Sequence, residues 1–146
     1  MATPTRPHDL PRRDSALVTI QIVDTVGPIV EVLFHRGITT AADVEELLGS
    51  VRSFLEDYVV AAGSPKAYFV TCYDHFSVTH DLAHPLQEAI LEFNRTYSKG
   101  DARYGGTVVA QTLIISTAIR AAAPSEIYAT RNEALQHLRA RIRAEM

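Results

Sequence analysis

Between residues 44 and 59 the apolar side chains Val44, Leu47, Leu48, Val51, Phe54, Leu55, Tyr58 and Val59 fall on one face of a 3.6-residue repeat. Thr40 and Asp43 give this helix a capping-box-like start, and Gly63 and Pro65 end it. Directly afterwards, Lys66 to Tyr73 is a compact run of aromatic and β-branched residues without polar alternation, the pattern of a strand buried on both faces. A long amphipathic helix feeding such a strand commits the chain to a parallel crossover. The fold must then be a sheet with helices packed on it.

The rest of the sequence extends this unit. Leu17, Val18, Ile20, Ile22 and Val23 suggest a strand at about 17–24. A turn cluster, Asp24 to Pro28, leads to a second strand with Ile29, Val30, Val32, Leu33 and Phe34. The short connection favours an antiparallel hairpin. A polar loop from Asp74 to His84 precedes a helix with Leu82, Leu86, Ile90, Phe93 and Tyr97 on one face, and Gly100 is its stop. Residues 107–117 are β-branched enough for a strand, yet Val108, Thr112, Ile115, Ile119 and Ala122 also fit a helix. If Ala102-Arg103-Tyr104 is a strand, the next parallel strand at Glu126 to Ala129 needs a crossover, and only a helix in 107–122 supplies it. Thr130 to Glu133 is a capping box opening a last helix with Ala134, Leu135, Leu138 and Ile142 inward. The predicted class is α/β, in the order β-β-α-β-α-β-α-β-α: a mainly parallel sheet begun by an antiparallel hairpin.

Size and composition suit one domain over residues 16–146. The chain has 146 residues, 47% hydrophobic and 21% charged. Residues 1–15 hold Pro4, Pro7, Pro11, Arg6, Arg12 and Arg13, which reads as a flexible N-terminal arm. Cys72 is the sole cysteine, so no internal disulfide can form, in keeping with a reducing, cytoplasmic setting. The net charge of -3 gives no reason to expect nucleic-acid binding. The dense apolar runs, about ten residues at most, are too short to span a bilayer, and residues 1–15 lack the apolar core of a signal peptide.

The element order resembles the STAS fold of anti-sigma-factor antagonists and the related STAS/SEC14-like proteins. The resemblance spans about residues 15–143. It rests on the hairpin followed by a long helix, on the strand end Ala102-Arg103-Tyr104-Gly105-Gly106, and on the close Ile127-Tyr128-Ala129-Thr130-Arg131-Asn132-Glu133-Ala134-Leu135. It implies a non-enzymatic, regulatory protein-interaction module of bacterial signalling, with another protein as partner. Anti-sigma antagonists carry a phosphorylatable serine in an Asp-Ser-Ser/Thr-Gly-like motif after the third strand. Here that region reads Tyr73-Asp74-His75-Phe76-Ser77-Val78-Thr79, so the motif is absent and only Ser77 and Thr79 offer hydroxyls as phospho-acceptors.

In open parallel sheets ligands bind outside the carboxyl ends of the strands. Those ends carry Tyr73, Asp74, His75, Phe76 and Ser77; Arg103, Gly105, Gly106 and Thr107; and Arg131. The glycines allow close approach of a ligand or a partner backbone, and Arg103 and Arg131 add positive charge for a small anionic pocket or a phospho-acceptor face. The plainer reading is that the glycines make a tight βα turn and Asp74 caps its loop. His75, His80, His84 and Asp81 are the most metal-like group, but Pro85 disfavours a helix at His84 and the spacing matches no known ligand set, so no metal and no cofactor is expected. Cys72 sits in a strand pattern and reads as an inert thiol. An exposed Tyr73/Phe76 pair would make an interaction hot spot. Arg139, Arg141 and Arg143 suit the negative end of the last helix or an acidic partner. The alternative function is a small-ligand domain for a lipid or nucleotide. A hydrolase or metal-dependent enzyme ranks last. A homodimer is compatible with everything above.

Overall fold

The computed structural model describes residues 10–25, 27–106 and 127–145. Thr107 and the helix predicted within 107–122 lie outside the described residues. The described strands are β1 (Arg12–Asp14), β2 (Val18–Asp24), β3 (Ile29–Phe34), β4 (Ala67–Cys72), β5 (Ser98–Tyr104) and β6 (Ile127–Tyr128). The helices are α1 (Ala41–Leu55), α2 (His80–Tyr97) and α3 (Arg131–Glu145), and one π-helical turn, Glu56–Val60, continues α1.

The strands form a six-stranded sheet in sequence order. β2 pairs antiparallel with both β1 and β3, and β3 to β6 run parallel. The α/β class, the hairpin start and the parallel remainder are therefore as the sequence predicts. Side chains alternate across the sheet because the strand repeat is two residues. Val18, Ile20, Val30, Val32, Phe34 and Phe69 join the core under α1 and α2. Ile29, Tyr68, Val70, Cys72, Ala102 and Tyr104 join a second core under α3. β4 contributes to both, which explains its unbroken apolar run.

Local signals act as expected at two helix starts. The Thr40 side chain accepts from the Asp43 N–H, and the Asp43 carboxylate returns bonds to Thr40 and Thr39. Thr130 Oγ1 accepts from the Glu133 N–H at 3.2 Å.

Three expectations are corrected. Arg12–Asp14, assigned to the flexible arm, is an edge strand paired with Thr19–Gln21. Arg13 holds it, donating to Ser53 near the end of α1 and to Asp57 in the π-helical turn that follows. Second, α2 starts at His80 and contains Pro85. The proline deprives the Asp81 carbonyl of its helical donor, but Asp81 is exposed and water can replace it. Third, α2 passes directly into β5 without stopping at Gly100. Pairing of Ala67 with Ser98 draws Ser98 and Lys99 into the sheet.

α3 is joined to the sheet by polar links as much as by apolar ones. Glu31, wholly buried in β3, accepts from Arg131 Nε and Nη2 at 2.8 and 3.0 Å, from Gln21 at 2.7 Å and from the Tyr104 hydroxyl at 2.8 Å. Arg139 is bidentate to Asp24, and Tyr68 bonds Glu145. Burial alone would raise the Glu31 pKa, but Arg131, Gln21 and Tyr104 hold it below the usual value. Its stabilising effect is therefore present above the unfolded glutamate pKa and is lost as pH falls through the lower folded value. Glu31→Ala is expected to cost about 3 kcal/mol in urea unfolding, because it strands a polar cluster inside the sheet. Glu31→Gln should flatten the loss of stability that the wild type shows below about pH 4.3.

Candidate functional site

Two places at the carboxyl side of the sheet bring chemically capable residues together. The first is the loop after β4. Phe76 is buried and packs edge-on against Phe34 and Tyr73, with ring centroids 4.8 and 5.1 Å apart. Both rings pack on the core and Phe76 anchors the loop there, so they do not form an exposed hot spot. Burial pushes the Tyr73 phenol up to about 12. Further along, Ile38 donates its N–H to Ser77 O at 2.7 Å, and Thr79 donates to Ile38 O at 3.1 Å. This short parallel bridge pairs Ile38 with Val78. Asp74, His75 and Ser77 are left facing solvent on a braced loop.

The loop is also tied to the end of β5. Asp74 Oδ1 accepts from the Gly106 N–H at 3.2 Å. Gly105 has φ +72°, and a Cβ there would lie 2.1 Å from Asp74 Oδ1. The glycines are therefore needed for close approach of Asp74 and for a left-handed turn. Asp74, Gly105 and Gly106 are brought together as the sequence suggests, although the partner they admit is a side chain of this chain. Gly105→Ala should cost about 2 kcal/mol, since it adds strain and a clash. Asp74→Ala in the same chain should recover part of this, and a thermal-unfolding double-mutant cycle measures the coupling.

The two arginines are not brought together. Arg131 lies on the α3 face with Glu31. Arg103 lies on the opposite face, where α1 and α2 pack, and bonds Asp101 at 2.8 Å. The two hydroxyls also differ. Ser77 is exposed, with its Oγ lodged over Gly37, where a Cβ would fall 2.0 Å away. Thr79 Oγ1 is buried and has no hydrogen-bond partner, so it is poorly placed to accept a phosphoryl group in this fold. An unsatisfied buried hydroxyl costs stability. Thr79→Val should be at least as stable as wild type by thermal unfolding.

The second place is a cavity of about 100 Å³ between the sheet and α1 and α2. Phe69, Leu86, Ile90 and Phe93 give it apolar walls, and Asp101 and Arg103 lie at its polar side. A shallower hollow of about 340 Å³ shares Leu48 and Phe93 with it. Burial pushes the Asp101 carboxyl up against the opposing pull of Arg103 and Arg141. The sequence reading found Arg103 but missed Asp101. Opposite charges two residues apart in a strand share a face, and that signal is present at 101 and 103. A strand starting at Ala102, as the sequence predicts, leaves Asp101 outside it; pairing with β4 extends β5 back to Ser98.

The other candidates are structural in their surroundings. Cys72 is buried, and desolvation raises its pKa, which disfavours the thiolate. Among the described residues, no three His, Cys, Asp or Glu side chains converge as a metal site would require. His80 and His84 do share α2, and His84 lies 3.9 Å from Glu88. Arg139 and Arg141 are engaged with Asp24 and with Glu145 and the Lys99 carbonyl. No described helix is long and apolar enough to cross a membrane. Comparison with protein families, with curated proteins and with solved structures gave no match.

Proposed function

We propose that the chain is a non-enzymatic, STAS-like protein-interaction module of bacterial signalling, working through the surface made by Asp74, His75 and Ser77. The observation that carries this reading is the braced loop after β4. Its backbone is fixed by the Ile38–Val78 bridge and by Asp74 on Gly106, while its polar side chains face outward. Such pre-ordering lowers the entropy lost on docking. The sequential sheet with an antiparallel opening supports the family resemblance.

Ser77 is the acceptor best placed for regulation. A phosphoryl group adds about -1.5 to -2 charges, on an oxygen already pressed against Gly37. Asp74 is three residues away on the same loop, so the added charge would also face a carboxylate. Modification would repel an acidic partner and loosen the Ile38 bridge. A nucleotide or acyl lipid is the less favoured alternative, because pockets for such ligands usually start at about 300 Å³, the apolar cavity is about 100 Å³, and the hollow of about 340 Å³ beside it is shallow and open.

Affinity capture from native extract of a bacterial source provides the test. Wild-type protein should retain a specific partner, and Ser77→Asp should weaken retention at least tenfold while leaving the circular dichroism unchanged. Equal retention by both forms removes the Ser77 switch. Failure of both forms to retain any specific protein overturns the module reading.

A further inference from the structure

β1 is the terminal strand on one side of the sheet, and the function proposed above makes no use of it. Its backbone bonds show which way each residue faces. Ile22 donates to the Pro11 carbonyl at 3.0 Å, and Ser15 donates to the Val18 carbonyl at 2.9 Å. Bonded pairs alternate with non-bonded ones in an antiparallel ladder, so Arg13, opposite Ile20, also turns its N–H and C=O toward β2. Arg12 and Asp14 therefore turn theirs outward, and among the described residues no strand pairs with them. The Arg13 side chain reaches Ser53 and Asp57 on the α1 side. Those of Arg12 and Asp14 lie on the other face, with Arg12 Nε 3.2 Å from the Asp14 carboxylate and exposures of 57% and 58%.

A free edge can accept a further strand, and charges on short edges usually prevent this by repulsion. Here the charges are self-complementary, because Arg12 and Asp14 stand symmetrically about Arg13. Consider a second β1 laid antiparallel, with Arg13 opposite Arg13. Arg12 of one copy then faces Asp14 of the other, and every outward N–H meets an outward C=O. The neighbouring registers that keep this backbone pattern set Arg12 against Arg12 or Asp14 against Asp14, which is unfavourable. The two Arg13 side chains meet at the axis, but each is neutralised by Asp57 of its own copy at 2.9 Å. Apolar surface lies close by. Tyr58 and Val60 are the exposed large apolar side chains among the described residues. Both belong to the π-helical turn that Arg13 reaches, with its guanidinium 5.5 Å from the Tyr58 ring centre.

The geometry points to a second copy of this chain as the occupant of the β1 edge. The dimer is twofold, with antiparallel β1 strands centred on Arg13 and Arg12 of each copy paired with Asp14 of the other. Residues directly opposite in a sheet share a face, so one Tyr58–Val60 turn from each copy stands on the same side of the joined sheet. The contact uses the same patch twice and closes on itself. Backbone bonds and apolar contact supply its strength, while the exposed ion pairs select the register. So short a contact is at the small end of specific interfaces, and the dimer forms as concentration rises.

Sedimentation velocity on the full-length protein, from the low to the high micromolar range, tests this. The wild type should pass from monomer to dimer. Arg12→Asp and Asp14→Arg should each weaken self-association at least tenfold, since each sets like charges against one another. An equimolar mixture of the two variants should recover wild-type dimerisation, because every cross-strand contact then pairs opposite charges. In the wild type, the Arg12 and Asp14 amides should gain protection from hydrogen exchange as concentration rises. A wild type that stays monomeric throughout overturns the proposal, as does a dimer in which those amides gain no protection. Both readouts use only wild-type protein, should a variant fail to fold. Wild-type dimerisation by either folded variant, or failure of the folded variants to pair when mixed, also overturns it. Capture of a different protein through Ser77 is read separately, so either idea can fail alone.

Discussion

The Glu31 carboxylate has no exposed surface, yet it sits in a strand at the middle of the sheet. An ionised carboxylate in such a place is tolerable only when each oxygen is well served by donors. Arg131 supplies a fork from the first turn of α3, Gln21 reaches across from β2, and Tyr104 comes from the end of β5. One buried charge therefore joins β2, β3, β5 and α3. It fixes where α3 begins against the sheet, and Arg139 on Asp24 then fixes its direction. Ala134, Leu135, Leu138 and Ile142 supply the apolar contact between those polar ends.

The two faces of the sheet consequently work differently. The α3 face is closed by a saturated polar network and a compact apolar cluster. On the face under α1 and α2, Asp101 and Arg103 form an ion pair beside a cavity. Arg103 and Arg131 look interchangeable in sequence because both follow strand ends. Their partners differ: Arg131 bonds the buried Glu31 on the α3 face, while Arg103 bonds Asp101 beside the cavity on the opposite face.

Much of the fold was legible from local pattern. The 3.6-residue repeat of α1, its Thr40–Asp43 cap, the doubly buried β4 and the hairpin of β2 and β3 all express short-range preferences that the tertiary structure keeps. The departures share one cause. β1 exists because Arg13 finds Ser53 and Asp57, about forty residues distant, and β5 starts at Ser98 because β4 pairs there. At the candidate site, Asp74, Gly105 and Gly106 could be grouped from the strand-end rule. The inward turn of Phe76 could not, since the neighbours that bury it come from β3 and from the loop itself.

The sequence by itself determined the class of fold, because hydrophobic periodicity and turn chemistry act over a few residues and alternate in a pattern that only a helix-covered sheet satisfies. It also supplied the glycines that let the loop after β4 meet the end of β5. Only the tertiary structure decided which face each charge occupies, which hydroxyl reaches solvent and where space remains unfilled. Those properties depend on strand register and on contacts between distant residues. A shift of one residue in β5 would exchange Arg103 for Tyr104 at the cavity, and no local signal sets that register.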